Sequence, residues 1–361
     1  MITDGKLLSD ARYLNDGYAV DTSNCADARR EFRAALICVD FNNAPASGVG
    51  GEESLPSYYD RILARDGARV FGIASYGRLK FTVDFYDKWF RMPKPDADYH
   101  MERVMTARDH RAYIADAMSR CRSEVPLSEY DALYIAAVKG SAVPYSPTLV
   151  DRRNPVECGG DRVGLAVTFG SDMHTRKGKL LAHETGHIFG LPDLYLFEGD
   201  AFARCGAYDL MGLIDGPAPD YLAWHKYRLG WLTEENVRVF DKSGEVRLTP
   251  VERDPRGSVS LAVIPIDDYT AYAVESRRAE GLDEKLGSAK GALVYYIDGH
   301  AKSGCGCVTV MPKERDKYMK LNPMKPEELF LPGETFADEE RGVKIDFIAT
   351  DDDTIRVTRL T

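Results

Sequence analysis

No stretch of the chain approaches the ~20 consecutive apolar residues that a helix needs to cross a bilayer, so no membrane span is expected. Nor is there an excess of positive charge: 47 Lys and Arg stand against 57 Asp and Glu, for a formal net charge of −10. That balance argues against nucleic acid as a partner, because phosphate binding needs a basic patch. Cysteine is sparse. Cys25, Cys38, Cys121, Cys158, Cys205, Cys305 and Cys307 are irregularly spaced and odd in number, which does not suit a disulfide framework. Cys305 and Cys307 flank one glycine with no further ligands nearby and read as two exposed thiols. Residues 1–10 hold neither a basic segment nor an apolar core, so the expectation is a sequence without a signal peptide. Calcium loops are missing too. The acidic runs at 338–340 and 351–353 do not follow EF-hand spacing, and no calcium ligands are assigned.

What is present is a chain of 361 residues, 44% hydrophobic and 29% charged, long enough for two globular domains at the usual ~150 residues each. It is organised around residues 180–195, LLAHETGHIFGLPDLY. Here His183, Glu184 and His187 make HExxH, and Gly190 and Asp193 extend the pattern to HExxHxxGxxD. Residues four apart share one face of a helix, so His183 and His187 can offer two imidazole nitrogens to one metal ion. Glu184 sits one residue further round, where its carboxylate can reach a water beside the metal without being a ligand. Gly190 falls where the helix should end, since glycine takes the left-handed conformation at little cost. The chain can then turn back and bring Asp193 in as a third ligand. Two histidines, one carboxylate and an open position suit a catalytic zinc site, whereas a structural site uses four protein ligands. A bare HExxH arises by chance in on the order of one chain in a hundred of this length, and the added Gly and Asp make chance far rarer. Glu198 is the nearest alternative third ligand, but it precedes Gly199 and Asp200 in a turn-like stretch, so Asp193 is preferred.

The rest of the chain reads as follows. Residues 1–33 are a polar arm, in which 21–24 looks like a turn or cap before a short charged helix. The apolar run 34–41 (AALICVDF) predicts a strand buried on both faces. A helix should pass through Tyr58, Ile62 and Leu63, and the alternation of Leu79, Phe81 and Val83 within 74–89 predicts a half-exposed strand. Residues 101–121 have helical spacing, with His110 a surface or packing residue. Residues 132–138 form another buried strand, and 164–169 (GLAVTF) a short edge strand able to pair with an extended peptide. His174, in the charged stretch that follows, reads as solvated. Residues 220–230 predict a helix with an Asp cap and a Gly stop, burying Trp224, Tyr227 and Trp231. From about residue 240 short strands recur at 245–248, 259–264, 272–275, 292–297, 343–348 and 354–357, the pattern of an all-β, sandwich-type module. The expected domains are therefore 34–238 and 239–361.

The motif HETGHIFGLPDLY at 183–195 resembles that of the immune inhibitor A family of secreted bacterial zinc metallopeptidases, relatives of the metzincins. Weaker matches are ICVDFNNAP at 37–45, ASYGRLKF at 74–81, YDLMG at 208–212, LGWL at 229–232, AYAVESRRAEGLD at 271–283, GALVYYID at 291–298 and LPGETF at 331–336. The resemblance implies an α+β, zincin-type catalytic domain with a mixed sheet and an active-site helix, followed by the β module. It implies zinc on His183, His187 and Asp193, Glu184 as general base, and Met211 as the methionine of a turn beneath the metal. It also implies an extracellular protein, against which the missing signal peptide leaves a cytoplasmic location open. Family members hold calcium as well, for which no matching ligand set is found. Residues 157–161 (ECGGD) contain a cysteine of the type that caps zinc in some propeptides, but Cys158 follows the first strands instead of preceding them and reads as an ordinary loop cysteine.

The expected activity is endopeptidase cleavage of a protein or peptide substrate, with Tyr208 and Tyr221 as candidate donors to the tetrahedral oxygen. The competing readings are a narrow-specificity processing peptidase or amidase inside the cell, and a metal-containing binding protein without catalysis. Oligomeric state is not legible.

Overall fold

A computed structural model of the chain describes residues 4–102, 104–313, 324, 326–349 and 353–360. Most of the acidic run at 351–353 lies outside the described residues. Contacts divide the chain into two compact units: Asp21–Gly72 with Leu79–Gly190, and Met1–Val20 with Ile73–Arg78 and Leu191–Thr361. The change of sequence pattern near residue 238 lies inside the second of these.

The first unit is built on a five-stranded mixed sheet. Its strands are β1 (Phe32–Asp40), β2 (Phe81–Arg91), β3 (Ala132–Ala137), β4 (Thr148–Val150) and β7 (Leu165–Phe169), in the order β2-β1-β3-β7-β4. A separate hairpin joins β5 (Val156–Cys158) to β6 (Asp161–Val163). The four strands β2, β1, β3 and β7 run parallel, and β4 is antiparallel to β7. Central strands of such a sheet are covered on both faces, which is why β1 and β3 read as continuous apolar runs. Helix α3 (Ala107–Cys121) covers one face, packing Tyr113, Ile114, Ala117 and Met118 against Ile37, Val39, Leu133 and Ile135. The helix begins later than the spacing suggested. Thr106 accepts from the N–H of Asp109, whose carboxylate in turn accepts from the N–H of Thr106, and this capping box fixes the first turn. Two further expectations are corrected. Residues 21–31 form turns and no helix, and 164–169 is no edge: β7 lies inside the sheet, and the edge is β4.

The predicted helix near Tyr58 is α1 (Pro56–Tyr59), which continues through a π-helical stretch, Asp60–Arg65, into α2 (Asp66–Ala74). Helix α4 (Met173–Ile188) carries the HExxH residues.

The second unit is largely β. One sheet has the order β13-β12-β11-β10-β8, with β8 (Val237–Val239), β10 (Leu261–Pro265), β11 (Thr270–Arg277), β12 (Gly291–Asp298) and β13 (Val308–Val310). Its neighbours are antiparallel except β8 and β10. The other, β14-β15-β16-β9, is antiparallel and contains β9 (Gly244–Arg247), β14 (Thr335–Asp338), β15 (Val343–Ala349) and β16 (Thr354–Arg359). Val274, Val294 and Ile264 of the first sheet share one core with Ile345, Phe347 and Val357 of the second. The first residues of the chain, read from the sequence as an arm, include the buried Asn15 and Asp16; the carbonyl of Asp16 accepts from the indole N–H of Trp224.

Candidate metal centre

Helix α4 is two helical pieces joined at a break. Lys177 has φ 51° and ψ −134°, a conformation that L side chains avoid, so the pieces meet at a kink. The second piece therefore needs its own start. Asp66 supplies it, accepting the N–H of Gly178 on Oδ2 at 3.0 Å. The approach is close enough that a Cβ on Gly178 would lie 2.4 Å from the carbonyl carbon of Asp66, and one on Gly67 would lie 2.7 Å from Leu181 Cδ2. Two glycines thus let the π-helical stretch and its continuation pass tightly over the HExxH helix. At the other end Gly190 has φ 86° and donates its N–H to His187 O, the glycine stop expected from the sequence.

Between these ends the helix sets its polar residues into buried surroundings. Thr185 is bonded to Tyr134 Oη of β3 at 2.7 Å. His183 and Glu184 are buried and His187 half-buried. One ligand atom from each of His183, Glu184 and His187 lies within 4.8 Å of the others, and the two rings meet edge to face with centroids 5.0 Å apart. Such a group, with two imidazoles beside a carboxylate, could hold a metal ion.

The two oxygens of Glu184 point to different partners. Oε1 lies 4.0 Å from His183 Nε2, and Oε2 accepts a 2.6 Å hydrogen bond from the hydroxyl of Thr148 on edge strand β4. Thr148 was not singled out in the sequence. Its strand is three residues long and half-exposed after a Pro-rich loop, so no periodicity marks it.

The edge beyond Thr148 is partly filled. Thr168 N–H donates to Pro147 O and Asp151 N–H to Gly164 O, so the backbone groups of residues 147 and 151 face β7, and by alternation those of 148 and 150 face outward. Asn24 Nδ2 donates to Val150 O at 3.3 Å, and Asn24 Oδ1 accepts from Arg152 N–H at 2.9 Å. The side-chain amide of Asn24 acts as a one-residue neighbouring strand.

The other residues expected in the site belong to the second unit. Asp193 is buried; its N–H donates to Ser303 Oγ at 2.9 Å, and its carbonyl accepts from Gly304 N–H. Leu194 N–H donates to Met211 O, which ties the segment carrying Asp193 to the buried turn that carries Met211. Tyr208 is buried, its hydroxyl reaching Glu328 at 3.5 Å, and burial together with the Glu328 carboxylate pushes its phenol well up. Tyr221 is buried edge-on to Trp231. Glu198 is exposed.

The expected Asp cap of helix α5 (Ala223–Arg228) is corrected. Asp220 instead binds Lys226 Nζ at 2.8 Å, and the first N–H groups go to distant carboxylates: Leu222 to Asp209 and Ala223 to Glu275. Asp209, at φ 72°, also takes the N–H of Met211 on Oδ1 at 2.7 Å, and its Oδ2 lies 2.7 Å from His225 Nδ1. His225 reaches Asp16 Oδ1 with Nε2 at 3.1 Å. Burial opposes its charge, but Asp209 and Asp16 outweigh it and raise the imidazole to about 9. None of this was read from the sequence, although the Asp of YDLMG was in view.

Three other expectations meet the structure here. His110 is a packing residue, bonded to Thr168 Oγ1 at 3.1 Å and pushed down to about 4 by burial and by Arg111. His174 is not solvated: it is half-buried against Tyr58 and Tyr59, with Nδ1 3.1 Å from Tyr58 Oη. Of the two cysteines expected to be exposed, Cys305 is and Cys307 is buried, its thiol donating to Ala301 O. All seven cysteines are free thiols. No helix among the described residues is long and apolar enough to cross a membrane. No protein-family model matches the chain, and no curated protein does.

Proposed function

We propose that the protein is a zinc-dependent endopeptidase in which His183, His187 and Asp193 hold the metal and Glu184 is the general base. The observation that carries this reading is the buried grouping of His183, Glu184 and His187 on one helix, with Glu184 turned so that one oxygen is near His183 and the other is held elsewhere. When bound, zinc would supply the Lewis acidity that polarises a scissile carbonyl and acidifies a water. Glu184 Oε1 then takes the proton of the attacking water and delivers it to the leaving nitrogen. The outward backbone of β4 offers main-chain hydrogen bonds to an extended substrate, a mode of binding indifferent to side-chain identity. Tyr208 and Tyr221 are the candidate donors to the tetrahedral oxygen, and Met211 would be the methionine of the turn that the family resemblance implies.

On this reading the first unit is a zincin-type catalytic fold and the two sheets of the second are a sandwich-like module. The resemblance of the 183–195 motif to the immune inhibitor A family supports it, and with it an extracellular location. The amide of Asn24 on the edge of β4 favours a second reading, a peptidase of narrow specificity, because it shortens the main-chain surface open to substrate.

The test is Glu184→Gln with chelation of the parent. Digestion of labelled casein should stop on chelation and return with zinc. Glu184→Gln should keep about one zinc per chain and lose at least ~10³-fold in kcat. Chelator-insensitive cleavage, or an active Glu184→Gln, would remove this mechanism.

A further inference from the structure

Resting on the peptidase reading, we infer that Thr148 is a positioning residue for the general base: its hydroxyl holds Oε2 of the Glu184 carboxylate and so limits the directions in which the base can point. A general base works at its full rate only when its acceptor oxygen is already aimed at the proton it takes. A glutamate has three rotatable bonds, and left alone its carboxylate samples many directions. Here Oε2 is engaged at 2.6 Å by a group that has one proton to give, and Oε1 lies 4.0 Å from His183 Nε2. The hydroxyl is also 3.4 Å from the Glu184 carbonyl, a longer contact that leaves the carboxylate as its acceptor.

Thr148 is itself held on three sides. Pro147 and Asp151 pair with β7. Ser146, two residues before it, accepts Gly170 N–H at 3.0 Å and donates to Asp172 at 2.6 Å, just ahead of helix α4. Asn24 holds the strand two residues beyond. The donor is thus placed by sheet and helix together, which is what a supporting group must have if it is to restrict another side chain. By the alternation of β4, the backbone of Thr148 faces the free edge. The residue that aims the base therefore lies where a paired peptide would lie, and substrate register and base orientation are set at one position.

The test compares the parent with Thr148→Val, which keeps shape and loses the hydroxyl, Thr148→Ala, in case valine packs badly, and Thr148→Ser, which restores the donor. Kinetics use a quenched fluorescent peptide built on a casein site that the parent cleaves. Both Val and Ala should lower kcat by about 10- to 100-fold, the usual cost of losing an outer partner, with KM and zinc per chain within about twofold, and Ser should recover most of the loss. A kcat within twofold of the parent in Val and Ala, a rise in KM alone, or a Ser variant no better than Val would overturn the assignment.

Metal-free crystal structures of the parent and Thr148→Val give a second readout independent of turnover. The carboxylate should leave its place near His183 in the variant, and an unmoved carboxylate would overturn the proposal. A parent that cleaves no peptide sinks the peptidase reading and leaves this structural comparison to decide the role of Thr148. A parent that cleaves, with an unaffected Thr148→Val, sinks the role of Thr148 alone.

Discussion

Gly178 donates its backbone N–H to Asp66 Oδ2 at 3.0 Å, at a place where a Cβ would lie 2.4 Å from the Asp66 carbonyl carbon and 2.5 Å from Gly67 N. The start of the HExxH piece of helix α4 is thus fixed by one capping carboxylate and one absent side chain. Helix propensity alone favours alanine over glycine by about 1 kcal/mol. Contact with backbone atoms, which cannot swing aside, outweighs it.

Gly178→Ala should therefore destabilise the protein by about 2 kcal/mol or more, despite being a helix-favouring change. A neighbouring change should have the opposite sign. Lys177 sits at φ 51°, ψ −134°, and Lys177→Gly removes strain of about 1 kcal/mol. Urea unfolding of the two variants checks both, since the midpoint should fall in one and rise in the other. Equal shifts would mean that the break in α4 is not where the strain lies.

Removal and replacement of metal should be visible in stability as well as in turnover. Folding brings ligand atoms of His183, Glu184 and His187 within 4.8 Å of one another, so an ion held there favours the folded chain over the unfolded one. Zinc at about a thousandfold over its dissociation constant should then stabilise the fold by about 4 kcal/mol. A thermal melt of chelated protein with and without zinc measures this. The rise should vanish in His187→Ala, and a rise that persists there would place the ion elsewhere.

The motif, the glycine stop at Gly190 and the central strands were legible because each has a local signature. Strands β1 and β3 are covered on both faces and so are apolar without interruption; the Thr106–Asp109 box is equally local and marks where α3 starts, inside the longer stretch of helical spacing. What could not be read are contacts made across long separations. Thr148 and Glu184 are 36 positions apart, Asn24 and Arg152 are 128 apart, and Asp16 and His225 are 209 apart. No period in the sequence announces such pairs. The expectation for Asp220 failed for the same reason: an Asp before a helix suggests a cap, but its carboxylate is taken by Lys226, and Asp209 and Glu275 cap the helix from afar.

Two buried histidines should give stability two pH limits of opposite sign. His225 is raised to about 9 in the folded chain, against about 6.5 unfolded, so its contribution is full below about 6.5 and is lost as pH climbs through about 9. His110 is lowered to about 4, so its neutral form contributes fully above about 6.5 and is lost as pH falls toward 4. Each shift corresponds to a few kcal/mol at most. Stability measured from pH 4 to 10 for the parent and for His225→Gln and His110→Asn separates them. The gap between parent and His225→Gln should narrow only on the alkaline side, and that between parent and His110→Asn only on the acid side. A gap independent of pH for either would mean that folding does not shift that imidazole's pKa.

Asn24 offers the last test, because it sets fold stability against access to the edge. Its amide makes one hydrogen bond to β4 and one to Arg152 just past it, each worth about 1 kcal/mol net, so Asn24→Ala should lower stability by about 1–2 kcal/mol. The same change leaves Val150 O and Arg152 N–H without that neighbour. If the edge of β4 receives the substrate, an extended peptide long enough to reach these groups should gain relative to a short one, whose contacts end at Thr148. The ratio of kcat/KM for a ten-residue peptide to that for a five-residue peptide should therefore rise by about 3- to 10-fold in Asn24→Ala, the equivalent of one hydrogen bond recovered. Asn24→Asp, which keeps the acceptor for Arg152 and loses the donor to Val150, should fall between the two. A loss of stability with an unchanged ratio would show that Asn24 braces β4 and that substrate does not pair along it.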